Sequence, residues 1–527
     1  MTETIFYGGD IITMEDTACE AVLVRSGRIA AAGSLMDAEA LAPKAERIDL
    51  QGKTLLPSFL DPHSHILSFA SSLGFVSLAD ARSFDEIAAA VRRFCEASHK
   101  KPGQWVVGFG YDHNSLREKI HPTRELLDRA APENPVLIAN ASGHMGAANT
   151  AALHELGITR DTPDPEGGRI GRDGQGKPTG YLEENAFISM TSRVPEPDLG
   201  QLAEQFERAQ DIYLSYGITT AQEGRVQPGQ MKMLDWLAEN GRLKLDVVCY
   251  VDENEHAGLF EEYGKYAVNY RDRLKLGGYK ILLDGSPQGK TAWMTEPYEG
   301  EREYRGYPVH PDERVRGLVQ KAVEEKRQLL AHCNGDAAAA QYIAACEAYG
   351  DDKAVQAVRP VMIHAQTVRP DQLERMKPLG MIPSFFAAHL YHWGDTHRKN
   401  LGARAENISP LRSAASCGIP FTLHQDTPVL PPDMLQTVWC AVNRRTKEGV
   451  LLGGGERVST EEALRGVTAN AAYQYFEEKE KGTIREGKKA NLVLLDRNPL
   501  KVPPEEIKEI AVLATIREGE VLYRRSK

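Results

Sequence analysis

The strongest constraint on the fold is a series of short apolar runs separated by stretches of helical character. Eight such runs occur, at residues 55–60, 217–221, 245–250, 279–283, 328–331, 361–363, 381–386 and 420–423. Segments such as 313–326 and 337–348 supply helices between them. Strands that alternate with helices predict an α/β fold, a TIM-like (β/α)8 barrel whose active site lies at the carboxyl ends of the strands.

The two ends of the chain have a different character. Residues 5–12, 21–33, 490–496 and 512–523 resemble short strands, and Ser26-Gly27 predicts a hairpin turn. We expect both ends to pair into one composite β-sandwich, made of residues 1–54 and 480–527. The barrel then comprises residues 55–74 and 206–479.

The first two barrel strands are too far apart in sequence for an ordinary crossover connection. Residues 75–205 therefore predict an inserted subdomain, which we expect to cover the active site. It holds a strand at 135–139, and its segment 163–174, rich in Gly, Pro and Asp, is typical of turns.

Composition excludes several classes of function. The net charge of −11 argues against a nucleic-acid surface, which needs a clustered positive field. No apolar stretch is long enough for a membrane span, and the amino terminus lacks the pattern of a signal peptide. Seven scattered cysteines are typical of a reduced compartment. We expect a cytoplasmic protein that binds a small molecule and neither nucleic acid nor membrane, with a homodimer as one assembly to consider.

Two histidines follow the first apolar run, in the sequence Asp61-Pro62-His63-Ser64-His65. On an extended backbone, residues i and i+2 point to the same side, so both imidazoles could bind one ion. The alternative is a pair of surface histidines after a strand.

Later runs end in further candidate ligands. The fifth and sixth runs stop at His332 and His364, and the eighth is followed by His424-Gln425-Asp426. Neutral imidazole is a common zinc ligand. The fourth run contains Lys280, a residue that is costly to bury unless it is paired or neutralised. Carbamylation by carbon dioxide would turn it into a bridging carboxylate, while a salt bridge to Asp284 is the alternative.

Together these strand-end residues predict a centre with two divalent ions, zinc being our first expectation. His63, His65 and Asp426 would hold one ion, His332 and His364 the other. Carboxylated Lys280 and a water-derived hydroxide would lie between the two ions.

The sequence resembles the amidohydrolase superfamily, and more closely its N-substituted-formamide deformylase-like branch. The resemblance rests on the ligand pattern and on the motifs Lys280-Ile281-Leu282-Leu283-Asp284-Gly285-Ser286, Ala331-His332-Cys333-Asn334-Gly335-Asp336, Ile363-His364-Ala365-Gln366 and Gln425-Asp426-Thr427-Pro428-Val429. It implies hydrolysis of an amide-type bond. One departure is His424, where many relatives have small residues, so His424 could narrow the pocket or bind the substrate.

In the mechanism that we expect, the ions activate the bridging water and polarise the scissile carbonyl. Asp426 accepts a proton from the nucleophile and returns it to the departing amine. His144 of the insertion is the candidate oxyanion donor and substrate contact, with a structural role at an interface as the alternative.

Three further residues are candidate substrate contacts. His389 and His392 follow the seventh run in an aromatic segment, where loop packing or additional metal ligation are the alternatives. Arg404 could hold a substrate carboxylate, or it could be a solvated surface residue.

Two rival functions are a deaminase on the same barrel and a non-catalytic regulatory protein. Such deaminases usually place a glutamate shortly after the fifth-strand histidine, whereas His332 is followed by Cys333-Asn334-Gly335-Asp336. A degenerate regulatory barrel tends to lose ligands, and this sequence keeps the whole predicted set.

Overall fold

A computed structural model describes residues 3–191, 193–195, 198–256, 258–267 and 269–526. The chain divides into two compact units, the first made of Met1–Phe69 with Glu207–Lys527 and the second of Ala70–Phe206. The insertion was predicted over residues 75–205, and that assignment stays a prediction. Among the residues described, no helix combines the length and the apolar character needed to cross a membrane.

The centre of the first unit is a parallel sheet of eight strands. In chain order the strands are Phe59–Leu60, Ile218–Val226, Asp246–Asp252, Leu274–Leu282, Gln328–Cys333, Val361–His364, Ile382–Phe385 and Thr422–Leu423. Each strand pairs with the next one along the chain. These are the eight predicted runs in the predicted order, so the barrel-type α/β fold is confirmed at this level.

The sheet curls until its two edges approach each other. A flat sheet of this size would separate its edge strands by roughly 30 Å, because neighbouring strands lie about 4.8 Å apart. Instead, His63 Nε2, after the first strand, lies 3.4 Å from Asp426 Oδ1, after the eighth. The backbone N–H of His65 also donates to the carbonyl of Thr427, at 2.7 Å. The carboxyl ends of the first and last strands therefore meet at one place.

Helices connect and surround these strands. In the first unit, together with the two that cross its boundary, the α-helices are Leu35–Leu41, Ile66–Ser72, Leu199–Ser215, Pro228–Glu239, Glu253–His256, Leu259–Glu262, Asp312–Glu324, Asp336–Glu347, Asp352–Val358, Pro370–Met376, His389–Leu401, Leu411–Ser416, Met434–Asn443, Thr460–Gly466 and Ala469–Gln474. Short 3₁₀ helices lie at Gly264–Tyr266, Gly402–Asn407, Gly454–Glu456 and Pro504–Glu509.

Strands from both ends of the chain form two smaller sheets. A four-stranded sheet holds Glu3–Tyr7, Ala21–Arg25, Arg28–Gly33 and Glu46–Asp49. A five-stranded sheet holds Asp10–Ile11, Thr54–Pro57, Leu492–Leu495, Val512–Arg517 and Glu520–Arg524. One hydrophobic cluster contains residues of both sheets, among them Val22, Leu55 and Leu492. The pairing of the two chain ends is observed, and the composite β-sandwich stays our interpretation of it.

The first predicted barrel strand is divided between two sheets, which corrects the sequence interpretation. Thr54–Pro57 pairs with Leu492–Leu495 in the five-stranded sheet, and only Phe59–Leu60 joins the barrel. The change occurs at Ser58, whose N–H donates to Asn491, while the N–H of Phe59 donates to Gly217. Both halves are buried, so their apolar character does not distinguish the two sheets.

The second unit is built on a six-stranded sheet. Its strands, in spatial order, are Gly168–Arg172, Pro178–Glu184, Met145–Ala148, Val136–Asn140, Val106–Tyr111 and Phe75–Ser77. Its helices are Phe84–Ala97, Arg124–Ala130, Thr150–Glu155 and Asn185–Thr191. The prediction that segment 163–174 forms turns is wrong over Gly168–Arg172, because Ile170 is buried in the apolar cluster that also holds Leu182.

Buried ion pairs lie at the amino-terminal end of the barrel. Lys481 Nζ is 2.6 Å from Asp246 Oδ2 and 2.7 Å from Glu477 Oε2. Arg273 also pairs with Asp246, and Lys275 with Glu477. Burial alone would raise the pKa of both carboxyls, but Lys481 and the other neighbouring cations together outweigh it, and both pKa values are lowered.

We predict that Lys481→Met lowers the free energy of unfolding by about 3 kcal/mol, because removing one partner leaves buried charges less well compensated. Arg273 and Lys275 still pair with Asp246 and Glu477 in this variant, which limits the loss of stability. Urea denaturation followed by circular dichroism measures it. The control is Lys501→Met, which removes an exposed pair with Asp10 and should cost less than about 1 kcal/mol. Equal losses in the two variants would contradict the prediction.

The same ion pairs predict a pH dependence. Carboxyls whose pKa is lowered by folding stabilise the fold above their unfolded pKa of about 4, and this contribution is lost as the pH falls through the folded values. The stability difference between wild type and Lys481→Met should therefore be constant near neutrality and shrink below about pH 4. If the stability difference grew at acid pH, the ionised carboxylates of Asp246 and Glu477 would not be its source.

Candidate metal centre

The predicted ligands converge at the carboxyl ends of the barrel strands. We call this set the ligand cluster: His63, His65, Lys280, His332, His364 and Asp426. Ligand atoms of His63, His65 and Asp426 lie within 4.8 Å of one another. His364 Nε2 is 3.1 Å from His332 Nδ1 and 3.9 Å from Asp426 Oδ2. The structure thus brings together all six residues that sequence reasoning selected as metal ligands.

His63 and His65 reach the cluster in a different way from the one predicted. The first strand ends at Leu60, so the two histidines lie in the loop after it and not on extended strand backbone. His65 forms an isolated bridge with Glu223 of the second strand. Both imidazoles nevertheless face Asp426, His63 at 3.4 Å and His65 at 3.6 Å.

His63 and His332 each have a hydrogen-bond acceptor beside one ring nitrogen. His63 Nδ1 lies 2.7 Å from Gln222 Oε1, whose amide nitrogen donates to the carbonyl of Pro62. His332 Nε2 lies 3.2 Å from the carbonyl of Gly285. A neutral imidazole has one N–H and one lone pair, so the contact with Gln222 leaves the lone pair of His63 on Nε2. Donation from His332 Nε2 to the Gly285 carbonyl would leave the lone pair of His332 on Nδ1, and Asn334 Nδ2 also lies 3.1 Å from His332 Nε2.

His65 and His364 also make contacts through their Nδ1 atoms. His65 Nδ1 is 3.4 Å from Glu223 Oε1, and His364 Nδ1 is 3.1 Å from His424 Nε2. In both rings Nε2 faces the cluster. Such outer contacts fix the tautomer and orientation of metal-binding histidines.

Burial sets the charge state of the cluster. Burial, followed by the charge of Lys280, lowers the pKa of His63 and also the pKa of His332, the latter to about 3. Burial likewise lowers the pKa of Lys280, against the attraction of Asp426. The rings of His63 and His332 are therefore neutral at physiological pH, and neutral imidazole is the form that binds a metal ion.

The donor set fits divalent metal ions. Asp426 Oδ1 and Glu223 Oε1 are buried, and within the described part of the chain neither accepts a hydrogen bond. A buried carboxylate oxygen without a donor is costly unless a cation compensates it. Neutral imidazole lone pairs and a carboxylate are the ligands that zinc prefers.

Lys280 does not form the salt bridge considered as its alternative. Its Nζ lies 3.2 Å from His63 Nε2. Asp284 instead accepts hydrogen bonds from the backbone N–H groups of Trp293, Asn334 and Gly335. Burial raises the pKa of Asp284 to about 7 in spite of these bonds. Its carboxyl connects the loops that follow the fourth and fifth strands.

Backbone strain is concentrated at the same place. His364, Ala365 and Asp426 have positive φ angles of 73°, 46° and 54°, a region that residues with a Cβ rarely adopt. The N–H of Ala365 donates to the carbonyl of Cys333, which helps to hold the turn after the sixth strand. Strain of this kind often marks functional sites.

Among the predicted substrate contacts, His389 is buried in an aromatic group. Its Nδ1 lies 3.0 Å from His397 Nε2, and its ring contacts Phe386 and Trp393. His392 is half-buried, and its Nε2 has no hydrogen-bond partner among the residues described.

The remaining candidates differ from the predicted pattern. Arg404 donates to the carbonyls of Leu401, Glu296 and Pro297, which supports a structural role. His424 is fully buried with both ring nitrogens engaged, so it is not placed to bind a substrate. His144, in the second unit, is exposed and lies 3.0 Å from Glu184; its role as oxyanion donor stays a prediction.

Sequence reasoning missed Gln222 and Glu223. The second strand was expected to end at Ala221, but it continues to Val226 and carries both side chains to the cluster. The pair Gln222-Glu223, polar and directly after a buried run, is the same signal that identified the histidines at other strand ends.

Comparison with known proteins agrees with this geometry. A family model described as the amidohydrolase family matches residues 46–523. The chain belongs to the amidohydrolase family. The resemblance inferred from its motifs is therefore confirmed.

Three relatives of this amidohydrolase are informative. The N-substituted formamide deformylase of Arthrobacter pascens is 30% identical, with 100% of this chain and 99% of that protein covered. The putative amidohydrolase YtcJ of Bacillus subtilis is 28% identical, with 99% and 100% covered. An uncharacterized metal-dependent hydrolase from Pyrococcus furiosus has a similar crystal structure, with a TM-score of 0.75, 27% identity and coverage of 95% and 100%. Metal-dependent hydrolysis is the activity that these similarities support.

We predict that Gly224→Ala weakens metal binding about 10-fold or more. A Cβ at this position would lie 2.7 Å from His63 Cε1 and 3.0 Å from its Nδ1, so the ring must move. Gly229→Ala is the matched control, because a Cβ there meets nothing within 4 Å. Metal content after equilibrium dialysis against zinc, measured by plasma mass spectrometry, distinguishes the two. Full zinc retention in folded Gly224→Ala would contradict the assigned position of His63.

Proposed function

We propose that this chain hydrolyses a carbon–nitrogen bond in a small-molecule amide other than a peptide, using two divalent metal ions. The observation that carries the proposal is the convergence of the ligand cluster, with imidazole lone pairs directed at a buried carboxylate. The full-length similarity to an N-substituted formamide deformylase supports an amide as the substrate class.

The two ions would be held by different parts of the cluster. His63, His65 and Asp426 would hold one ion, and His332 with His364 the second. Lys280, carboxylated on Nζ, would bridge them, which its low pKa favours because carbon dioxide reacts with the neutral amine. Zinc, the first expectation, supplies a Lewis acid for the carbonyl and lowers the pKa of bound water.

Asp426 is the proposed proton carrier. Its Oδ1 is buried beside His63 and His65, and burial raises the pKa of the carboxyl in spite of nearby His65 and Lys280. A carboxylate with a raised pKa can take a proton from the attacking water and return it to the departing amine nitrogen. The amine leaves poorly as an anion, so this protonation completes C–N cleavage.

The substrate contacts that we retain in the first unit are His389 and His392. The hydrogen bond between His389 Nδ1 and His397 Nε2 would fix the orientation of His389. The group of Phe386, His389 and Trp393 would provide an apolar wall with one polar atom, the usual composition of a small-molecule site.

The deaminase alternative is less well supported. It needs a free carboxylate shortly after the fifth-strand histidine, and the carboxylate nearest in sequence is Asp336. That side chain pairs with Arg369 at 2.7 Å and accepts a hydrogen bond from Thr295 N–H at 2.8 Å. Asp336 is thus engaged in holding neighbouring segments together.

We predict that chelation abolishes hydrolysis of an amide panel of N-substituted formamides, N-acyl amino acids and cyclic amides, and that zinc restores it. Full activity should need two equivalents of zinc per chain. Amine or acid release, followed chromatographically, measures activity. Saturation at one equivalent would contradict the two-ion centre. Ammonia release from aminopurines or aminopyrimidines, with every amide inert, would favour the deaminase.

A second prediction concerns proton transfer. Asp426→Asn should lower kcat on an accepted amide by about 100- to 10,000-fold, because the amide side chain cannot carry a proton. His154→Leu is the control, since the His154 side chain is 88% exposed in the second unit and should retain full activity. If the metal-loaded Asp426→Asn enzyme kept the wild-type kcat, the proposed role of Asp426 in proton transfer would be wrong.

A further inference from the structure

A row of three buried polar side chains runs across the last three barrel strands. His364 Nδ1 lies 3.1 Å from His424 Nε2, and His424 Nδ1 lies 3.0 Å from Ser384 Oγ. Ser384 belongs to the seventh strand, while His364 ends the sixth and His424 follows the eighth. Ser384 and His424 have no exposed surface, and His364 is 3% exposed.

The protons of this row can be arranged in two ways. A neutral imidazole has one N–H, and a hydroxyl can either donate or accept. In one arrangement Ser384 donates to His424, His424 donates to His364, and the remaining proton of His364 is on Nε2. In the other, His364 Nδ1 donates to His424 and His424 donates to Ser384, which leaves a lone pair on His364 Nε2.

We propose that His424, supported by Ser384, is a positioning residue that holds His364 in the tautomer with a free Nε2. This inference rests on the proposed metal centre, since only that tautomer can bind an ion through Nε2. It replaces the earlier interpretation of His424 as a substrate contact.

The surroundings of His424 support this role. Its ring lies 5.2 Å from the rings of both His63 and His364, and 5.3 Å from Phe386, measured between centroids. A small residue at this position would leave a cavity and a buried Nδ1 of His364 without an acceptor, which costs free energy. His63 has its acceptor in Gln222, and His332 Nε2 lies beside the Gly285 carbonyl. For His364, the same requirement is met by another histidine.

The test compares His424→Phe with His424→Gln in the full-length protein. Phenylalanine fills the space but accepts no hydrogen bond, whereas the Gln carbonyl can accept from His364 Nδ1 and its amide can donate to Ser384. Titration calorimetry with zinc measures the affinity of both ions. We expect His424→Phe to bind one ion about 10- to 100-fold more weakly. His424→Gln should stay within a few-fold of wild type, and Ser384→Ala should shift in the same direction as the Phe variant, by less.

Nitrogen-15 NMR of histidine-labelled, zinc-loaded wild type supplies a second measurement that does not depend on any variant folding. The signals of His364, assigned by comparison with labelled His364→Gln, should show a protonated Nδ1. His154→Phe, at an exposed helix position, is the control for histidine replacement and should bind zinc as wild type does.

Several outcomes would overturn the inference. His424→Phe that is folded and binds both ions normally would do so, as would a Gln variant as weak as the Phe variant, because packing alone would then explain the loss. An unprotonated His364 Nδ1 in the zinc-loaded protein would also overturn it. Failure of wild type to bind zinc would instead overturn the proposed metal centre itself, and the His424 role with it.

Discussion

The buried carboxylate of Asp426 is the constraint on which the rest of the site depends. Its Oδ1 lies near the imidazoles of His63 and His65, and burial lowers the pKa of His63, so that this ring is neutral. An unpaired carboxylate in such a place costs several kcal/mol. A divalent cation compensates this cost and at the same time provides the ligand field that the imidazole lone pairs require. Stability of the folded site and metal affinity are therefore coupled.

That coupling works only if the lone pairs are aimed correctly, and the surrounding acceptors do this. They belong to elements far apart in sequence: Gln222 on the second strand, the Gly285 carbonyl after the fourth, and His424 after the eighth. The curling of the sheet brings them together around one point. The fold thus orients the ligands from outside, while the ligands themselves remain free to bind.

Much of this site could be predicted from sequence, for a simple physical reason. Polar side chains are costly inside a buried strand and less costly where the strand leaves the core, so each apolar run that stops at His332, at His364 or shortly before Asp426 marks one strand end. The same rule failed for Gln222 and Glu223, because the second strand continues beyond its apolar part. The partners of each ring depend on side-chain directions across strands, which no local pattern records.

The division of the first strand shows a second limit of sequence patterns. Thr54–Pro57 and Phe59–Leu60 form one apolar run, yet they belong to different sheets. Both halves are buried, so hydrophobic burial gains the same whichever sheet each half joins. Only the hydrogen bonds show the division: the N–H of Ser58 donates to the carbonyl of Asn491, and the N–H of Phe59 donates to the carbonyl of Gly217. The information lies in backbone pairing with distant segments.

The two ends of the barrel differ in whether their buried carboxylates are paired with cationic side chains. At the amino-terminal end, Lys481, Asp246 and Glu477 satisfy one another, and the carboxyls have lowered pKa values. At the carboxyl-terminal end, Asp426 Oδ1 has no hydrogen-bond partner among the described residues, and the backbone there has positive φ angles that cost of order 1–3 kcal/mol each. The amino-terminal end therefore has its charges compensated by the protein itself, whereas the carboxyl-terminal end leaves one carboxylate oxygen for a cation to compensate.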